Sequence, residues 1–429
     1  MTKELFNHRL SQVLGILVLL CLPVSLIAVD SSRIGTGAQH SILFSPNLGM
    51  RAGSQSLLTA HATLARIEDG FMGTRWMNAQ SCQGKAINFS GRVSKLVLLD
   101  VPMDYFTVVL LHEYIGHGAR YRELDITNID YGFDLPPPYG KGGGQASTTI
   151  GPGVISRHEE IAIWTGGLES HQVLNSSLRK RWMVLGEQHY REALTYFWSF
   201  QISLTYVQDT ENMYPAMLEF NDPQAYVTLL NLNHGYADVM DLPFSLDKLK
   251  QAMNRNALDP LLFISIYNGL MKYLWSGDPI SRIPMLKFGS IKYLPSMHIG
   301  LTPFGVETHL ENYLIIDEVL YTIMFSKGDE TFHSGWGGLG AQISYPFAQS
   351  DFSMDVSINL WNQPALRLGG SETDMGGGLG GAVSFRSYFR IPNRKIPLKA
   401  VVELGYKSAG FLEGYTLDTS PIIQLGLQL

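Results

Sequence analysis

The chain has 429 residues, of which 32 are basic and 38 are acidic, so its formal charge at pH 7 is −6. This length can supply two or three domains with buried cores, and a mildly acidic chain without a basic block argues against nucleic acid as a partner. Charged residues make up only 16% of the chain, while glycine is abundant with 43 residues. Such a composition indicates a chain that meets a membrane or is rich in strands and turns.

The N-terminal segment, residues 1–29, has the layout of a secretory signal. Two basic residues precede an apolar run at 13–29, and small or polar residues follow it. We therefore expect an exported protein that is cleaved near Ala28. The alternative is a retained membrane anchor, because the run is nearly long enough to span a bilayer. Cleavage would leave Cys82 without an internal disulfide partner and would exclude a cysteine-built metal site, since the chain has two cysteines.

Residues 30–285 are expected to form a mainly helical domain. Apolar residues recur there at spacings of three and four, most clearly in segments 104–123, 155–183, 188–206 and 258–275. Asp100 is predicted to cap the first of these helices, with Pro102 in its first turn. A polar loop rich in proline and glycine, 133–153, follows this helix. Loops of this length are usually functional or disordered, and this one could cover a cleft.

The first helical segment contains LLHEYIGHGAR, in which His112 and His117 stand five residues apart. In a regular helix, histidines four residues apart share one face, whereas a spacing of five turns them about 140° away from each other. A π-bulge widens the helix by one residue and would restore a shared face, and such bulges gather at functional sites. We therefore predict a widened turn, with Gly116 supplying backbone freedom. The alternative is a helix end with ordinary histidines.

The motif HEYIGH resembles the HExxGH signature of the dipeptidyl-peptidase III family of zinc metallopeptidases. The resemblance covers this motif and the following Gly118, and not the rest of the chain. It implies that His112 and His117 bind zinc and that Glu113 is the general base. A third ligand would be needed to complete a catalytic site with one open position.

The third ligand is expected on the second helical segment, 155–183. In the resembling family it comes from a glutamate pair on a later helix, and Glu159 and Glu160 form such a pair here, although the family's following acidic residue is missing. Glu169 shares a helical face with Gly166 and other small residues, which would let another helix approach closely. We therefore favour Glu169 over Glu160 as the ligand. The remaining alternatives are His158, His171 and a site without a glutamate ligand.

After residue 285 the apolar period changes to two, which is typical of strands with one apolar face. Eight such segments are expected, near 294–304, 307–316, 318–326, 336–347, 352–362, 378–391, 398–409 and 420–429. An even number of alternating strands of this length is typical of an outer-membrane barrel with an interior lined by polar residues. Residues 286–429 are therefore predicted to form an antiparallel, eight-stranded β-barrel. A soluble sandwich predicts the same alternation and remains an alternative.

The predicted fold class is thus an α+β multidomain protein, with a gluzincin-like helical metallopeptidase domain at 30–285 and a β-barrel at 286–429. Its expected function is hydrolysis of a peptide or protein substrate by a water molecule that zinc activates and Glu113 deprotonates. The catalytic domain would face the periplasm and the barrel would contact outer-membrane lipid. One alternative is a non-catalytic barrel protein whose helical domain binds or assembles partners. Another is a soluble hydrolase that is secreted or periplasmic.

Overall fold

A computed structural model describes residues 40–72, 82–134, 143–151, 153–211, 221–236, 242–344, 352–369, 374–375, 377–392 and 398–428. The expected signal at 1–29 lies outside these ranges. The helices are α1 (Met50–Met72), α2 (Cys82–Lys95), α3 (Val101–Leu110), α4 (Gly118–Glu123), α5 (Arg157–Leu185), α6 (Tyr190–Asp209), α7 (Asp222–Asn233), α8 (Leu246–Asn254), α9 (Pro260–Ile264) and α10 (Lys272–Ser276). The four predicted helical segments are therefore confirmed. Within the described ranges, no helix combines the length and the apolar content needed to cross a membrane.

Helices α2, α3 and α4 form one continuous helix, because π-helical segments at Leu96–Asp100 and Leu111–His117 join them without leaving the right-handed helical region. Asp100 therefore does not cap a helix as predicted. Its carboxylate instead accepts hydrogen bonds from Lys95 Nζ at 3.0 Å and Tyr190 Oη at 3.2 Å. Pro102 lies two residues after the end of the first π segment, so its missing N–H falls close to a turn that is already widened.

The sheet has ten antiparallel strands in the order β1-β16-β15-β14-β11-β10-β9-β8-β7-β6. Its members are β1 (Ser41–Phe44), β6 (Leu286–Phe288), β7 (Ile291–Thr302), β8 (Gly305–Ile316), β9 (Val319–Gly328), β10 (Gly337–Ser344), β11 (Phe352–Gln363), β14 (Gly378–Arg390), β15 (Lys399–Lys407) and β16 (Ser420–Gln428). Three short two-stranded sheets pair β2 (Asp130–Phe133) with β3 (Gly144–Ser147), β4 (Glu187–His189) with β5 (Ile280–Arg282), and β12 (Leu366–Arg367) with β13 (Asp374–Met375).

All eight predicted strands are confirmed as β7 to β11 and β14 to β16. Two short strands extend this set to ten: β6 at one edge and β1, from the N-terminal part of the chain, at the other edge against β16. Among the described residues, no pairing joins β1 to β6. The structure thus contains a large antiparallel sheet, while closure of that sheet into a barrel is not seen in these ranges.

The two faces of the sheet differ in polarity. The face turned toward the helices carries buried polar side chains, including Ser296, His298, Glu307, His309, Glu311, Glu403, Lys407, Gln424 and Gln428. The opposite face carries large apolar side chains that are 43% to 57% exposed: Leu310, Phe325, Leu339, Ile358, Leu360, Phe385, Leu404, Tyr406, Ile423 and Leu425. The alternating pattern therefore turns the polar residues toward the helices and the apolar residues away from them.

The helices and the sheet share hydrophobic clusters. Leu111 and Leu178 from the helical part pack in one cluster with Leu294 and Tyr313 from β7 and β8. Helix α5 lies against the polar face of the sheet, where Arg179 Nε donates to Glu311 Oε2 at 2.9 Å. This packing holds α5 in place beneath the helix that carries the histidine motif.

Candidate metal centre

The π-helical segment Leu111–His117 contains both motif histidines, so the predicted widening of the helix is confirmed. The extra residue in the turn compensates for the spacing of five and brings the two imidazoles to one side. Their ring centroids lie 4.9 Å apart, and both side chains are buried. The sequence motif is therefore compatible with a shared ligand.

Close packing of two helices, rather than backbone conformation, is what requires glycine at position 116. A Cβ on Gly116 would lie 2.5 Å from Gly166 O and 2.7 Å from Gly167 Cα, both on α5. A Cβ on Gly167 would lie 2.3 Å from His112 Nε2, so this glycine leaves room for the imidazole ring. The small residues of α5 thus permit the predicted close approach, and the space that they leave is filled by His112.

Asp222, in the first turn of α7, completes the cluster. Its Oδ2 lies 2.9 Å from His112 Nε2 and 3.2 Å from His117 Nε2. The donor atoms of the three residues lie within 4.8 Å of one another. Ligand atoms placed 2.0–2.2 Å from a tetrahedral zinc ion are separated by roughly 3.4 Å, so the donor set fits such an ion.

The outer nitrogen of each histidine is held by a partner that fixes its tautomer. His117 Nδ1 lies 2.7 Å from Ile163 O, which can only accept a hydrogen bond, so Nδ1 carries the hydrogen. His112 Nδ1 lies 3.1 Å from His171 Nε2, and His171 Nδ1 lies 3.2 Å from Ser199 Oγ. Burial, together with His112 and His117, keeps the pKa of His171 well below its usual value, so this ring stays neutral. Ser199 Oγ donates to the His171 carbonyl at 3.4 Å, so it accepts from His171 Nδ1 and leaves His171 Nε2 to accept from His112 Nδ1. The Nε2 atoms of His112 and His117 therefore both face Asp222, where each can carry a proton or bind a metal ion, the arrangement found around metal-ligating histidines.

The electrostatics of the cluster favour a cation between its members. Burial lowers the pKa of His117, but the facing Asp222 carboxylate outweighs burial and raises it to about 9. Burial likewise opposes ionisation of Asp222, yet His117 and His112 hold its pKa well below the ordinary range. The pair thus retains a proton strongly at neutral pH, and a divalent metal ion can replace such a proton at a site of this composition.

Glu113 lies beside the histidines and under the hairpin β2–β3. Its carboxylate accepts a hydrogen bond from the Ala146 backbone, and burial raises its pKa while His112 and His117 act in the opposite direction. A Cβ on Gly144 would lie 2.5 Å from Glu113 Cγ, so glycine lets the strand β3 approach the acid closely. The polar loop predicted to cover a cleft therefore does contact the motif through β3; its residues 135–142 lie outside the described ranges.

Two tyrosines border the cluster and were not predicted from the sequence. The Tyr206 ring centroid lies 6.0 Å from that of His112, and its hydroxyl oxygen accepts from the Asp222 backbone N–H at 3.1 Å. The hydroxyl hydrogen of Tyr206 is thus available for a further acceptor. Burial raises the pKa of Tyr121 to about 12, and the charges of Asp222 and Glu113 add to this effect. Both phenols therefore remain protonated donors at neutral pH.

The structure does not bring Glu169 or Glu160 to the histidines. Both oxygens of Glu169 bind the Arg120 guanidinium, with Nη2 to Oε1 at 2.6 Å and Nε to Oε2 at 3.0 Å. Glu160 lies near the surface and binds Arg157 at 2.7 Å. Glu159 caps its own helix by accepting from the Ser156 backbone at 2.7 Å. These carboxylates are occupied elsewhere, and Asp222 takes the place that was assigned to a glutamate.

Asp222 was not predicted as a ligand, because nothing in its local sequence indicates one. It precedes Pro223 at the start of a helix, and an aspartate followed by a proline is typical of a helix N-terminus. It also lies 110 residues from His112 in the chain, so no motif spacing relates the two.

Comparisons with known proteins found no matching family model, no matching curated protein and no matching solved structure. The resemblance to dipeptidyl-peptidase III is thus limited to the motif itself. Arguments about function rest on the geometry described above.

Proposed function

We propose that the chain is a zinc-dependent metallopeptidase in which His112, His117 and Asp222 are the metal ligands. The observation that carries the proposal is the π segment, which directs both Nε2 atoms to a single carboxylate oxygen next to Glu113. Two imidazoles and one carboxylate leave a coordination position for water or substrate, whereas structural zinc sites usually have four protein ligands.

The residues around the cluster suit hydrolysis of an amide bond. Zinc, when bound, would polarise the substrate carbonyl and lower the pKa of a water molecule. Glu113 would accept a proton from that water and deliver it to the leaving amine, a role that its burial-raised pKa favours. Tyr206 would donate its hydroxyl hydrogen to the developing oxyanion, because its oxygen already accepts from Asp222.

An extended peptide is the substrate class that fits the surroundings of Glu113. Strand β3 pairs only with β2 among the described residues, and its residues Gly144, Gln145 and Ser147 are exposed. The unpaired edge of such a strand can bind a peptide backbone by strand addition. A peptide bound there would pass the Glu113 carboxylate, which accepts from Ala146 in the same strand.

We propose further that the sheet lies in the outer membrane as a β-barrel and that the helical part faces the periplasm. The outward apolar side chains support this location, because a contiguous apolar face of this size is stabilised by lipid and is rare on soluble monomers. Closure of β1 against β6 would give ten strands, and bacterial outer-membrane barrels have even strand numbers. The export signal expected at 1–29 agrees with this location.

The enzymatic proposal is tested with Glu113→Gln, measured by zinc content and by hydrolysis of a fluorogenic peptide library. The variant should keep its zinc and lose about 10²- to 10⁴-fold in rate, because it lacks the general base. Glu160→Gln is the matched control and should keep full activity, since Glu160 pairs with Arg157 near the surface and lies away from the histidines. Zinc-loaded wild-type protein that cleaves no peptide would instead favour the binding-module alternative.

The membrane proposal is tested by extraction and gel mobility of the wild-type chain. A barrel should require detergent for extraction and should migrate differently on a gel before and after heating. A chain that is monodisperse without detergent would support the soluble sandwich instead.

A further inference from the structure

A second cluster of histidine and carboxylate side chains lies on the polar face of the sheet. His298 in β7 and His309 in β8 are directly opposite each other, and their rings stack at 4.5 Å with an interplanar angle of 4°. Glu307 lies two residues before His309 on the same face of β8. Glu413 reaches the cluster from residues 408–419, which connect β15 to β16.

Three atoms of this cluster are buried without a hydrogen-bond partner among the residues that the structure describes. They are both ring nitrogens of His309 and Oε1 of Glu413. His309 itself is only 4% exposed. A buried polar atom without a partner is unfavourable, so a cluster of such atoms calls for a ligand.

One donor atom from each of His298, His309 and Glu413 lies within 4.8 Å of the other two, and Glu307 adjoins this group through His309. His309 Nε2 lies 3.4 Å from Glu307 Oε2 and 3.8 Å from Glu413 Oε1, close to the roughly 3.4 Å that separates the ligands of a tetrahedral ion. Gly300, opposite Glu307 on β7, borders the same space. A Cβ at Gly300 would lie 2.6 Å from Glu413 Oε1 and 3.0 Å from His309 Nε2, so glycine keeps the space open.

We propose that His309, Glu307 and Glu413 bind a second divalent transition-metal ion of the zinc type, separate from the centre at His112. One imidazole and two carboxylates suit zinc and similar ions, whereas magnesium and calcium prefer oxygen ligands alone. A cavity of about 670 Å³ between α5 and the sheet is lined by all three residues and provides a route for the ion.

His298 orients the site without binding the ion. Its Nδ1 lies 3.3 Å from Arg179 Nη2, and a guanidinium can only donate hydrogen bonds. Nδ1 therefore accepts, and Nε2 carries the hydrogen that it donates to Glu413 Oε2 at 3.0 Å. This hydrogen bond turns the other oxygen of Glu413 toward His309, in the way that outer-shell partners orient metal ligands.

The bound ion would order residues 408–419, the segment between β15 and β16 that contacts the helical part. Directly after Glu413, the Gly414 N–H donates to Glu169 Oε1 at 2.7 Å and the Tyr415 carbonyl accepts from Arg120 Nη1 at 2.9 Å. Arg120 follows His117 by three residues on the same continuous helix. The second ion would thus hold residues 408–419 against the helix that carries the first centre.

The experiment is elemental analysis of the full chain after equilibration with zinc and desalting. Wild type should hold about two equivalents, one per site. His309→Ala and Gly300→Ala should each lose about one of them, the latter with all three ligands present. His117→Ala should lose the other equivalent and keep the one at His309. His298→Gln should weaken zinc affinity by roughly 10- to 100-fold without abolishing binding, because His298 is an outer-shell residue.

The outcomes separate this inference from the proposed function. One equivalent of zinc retained in His117→Ala, together with the loss of one equivalent in Gly300→Ala, would support the second site even if the protein cleaves no peptide. Retained zinc in the His309 or Gly300 variant also shows that the variant is folded. Complete loss of zinc in His117→Ala, or full wild-type content in both His309→Ala and Gly300→Ala, would overturn the second site.

Discussion

Two buried carboxylates beside the motif helix are neutralised in different ways. Glu169 shares both oxygens with the Arg120 guanidinium and also accepts from the Gly414 backbone. Asp222 faces the Nε2 atoms of His112 and His117 instead. Both pairs lie where the motif helix contacts its neighbours. They differ in whether a metal ion can replace the positively charged side chain that faces the carboxylate.

The difference follows from the chemistry of the cations. Arginine keeps its charge at every physiological pH and fills the carboxylate with two fixed hydrogen bonds, so no ion can enter. A histidine can release its proton and offer a lone pair to a metal instead. An arginine-paired carboxylate therefore belongs to the framework, meaning that it only stabilises the fold. Beside a histidine-paired carboxylate, a metal ion can replace the proton of the histidine. The following changes test this distinction.

The largest effect is expected from Glu169→Gln, which should reduce stability without removing the metal. It removes one of the two carboxylates that pair with the buried Arg120, the other being Glu123, and breaking a buried ion pair costs about 3–5 kcal/mol. Chemical unfolding measures the free energy, and zinc content of the folded fraction should stay at the wild-type value. An unchanged unfolding free energy would show that this pair is not part of the framework.

Asp222→Asn should instead remove metal binding at a smaller cost in stability, because His117 can release its proton when it faces a neutral amide. Loss of an outer-shell partner already lowers metal affinity or activity by roughly 10- to 100-fold, and the loss of a ligand should exceed that. Zinc titration and peptide hydrolysis measure the effect, with Asp209→Asn as a control at the end of α6. Zinc affinity equal to that of wild type would remove Asp222 from the ligand set.

Gly116→Ala should affect both arrangements at once, because this glycine lies where the motif helix contacts α5. The added Cβ would meet backbone atoms of Gly166 and Gly167, which cannot rotate away. Overpacking of this kind costs about 1–3 kcal/mol and should also weaken zinc binding. Gly143→Ala is the control, since a Cβ there meets nothing within 4 Å. Equal thermal stability of the two variants would contradict the close helix contact.

The smallest effect concerns a histidine that accepts a backbone hydrogen bond rather than facing a carboxylate. Burial lowers the pKa of His189 to about 4, although Glu192 opposes this, and its Nδ1 accepts from Arg191 N at 3.3 Å. The contribution of neutral His189 to the free energy of unfolding is therefore complete above the pKa of histidine in the unfolded chain, near 6.5. It is lost as the pH falls toward 4, by at most about 1.4 kcal/mol per pH unit. His189→Asn, which keeps a helix-capping acceptor, should remove this part of the acid sensitivity in unfolding experiments between these pH values. An identical pH dependence in the variant would contradict it.

Much of the fold could be predicted from the sequence, because the signals are local. A period of two identified all eight long strands, and the register then placed their polar residues inside. A spacing of five between His112 and His117, on an apolar helix, predicted the π segment that unites them. In both cases the repeat of the backbone sets where each side chain points, so neighbouring residues carry the information.

Only the tertiary structure decided which carboxylates meet which cations. Glu169 and Asp222 both offer a buried carboxylate, and nothing in their local sequence distinguishes a framework pair from a metal ligand. The choice depends on Arg120, 49 residues from Glu169, and on the start of α7, 110 residues from His112. Contacts over such separations arise from the packing of whole elements, and a carboxylate forms its bonds with whichever cation that packing brings within reach.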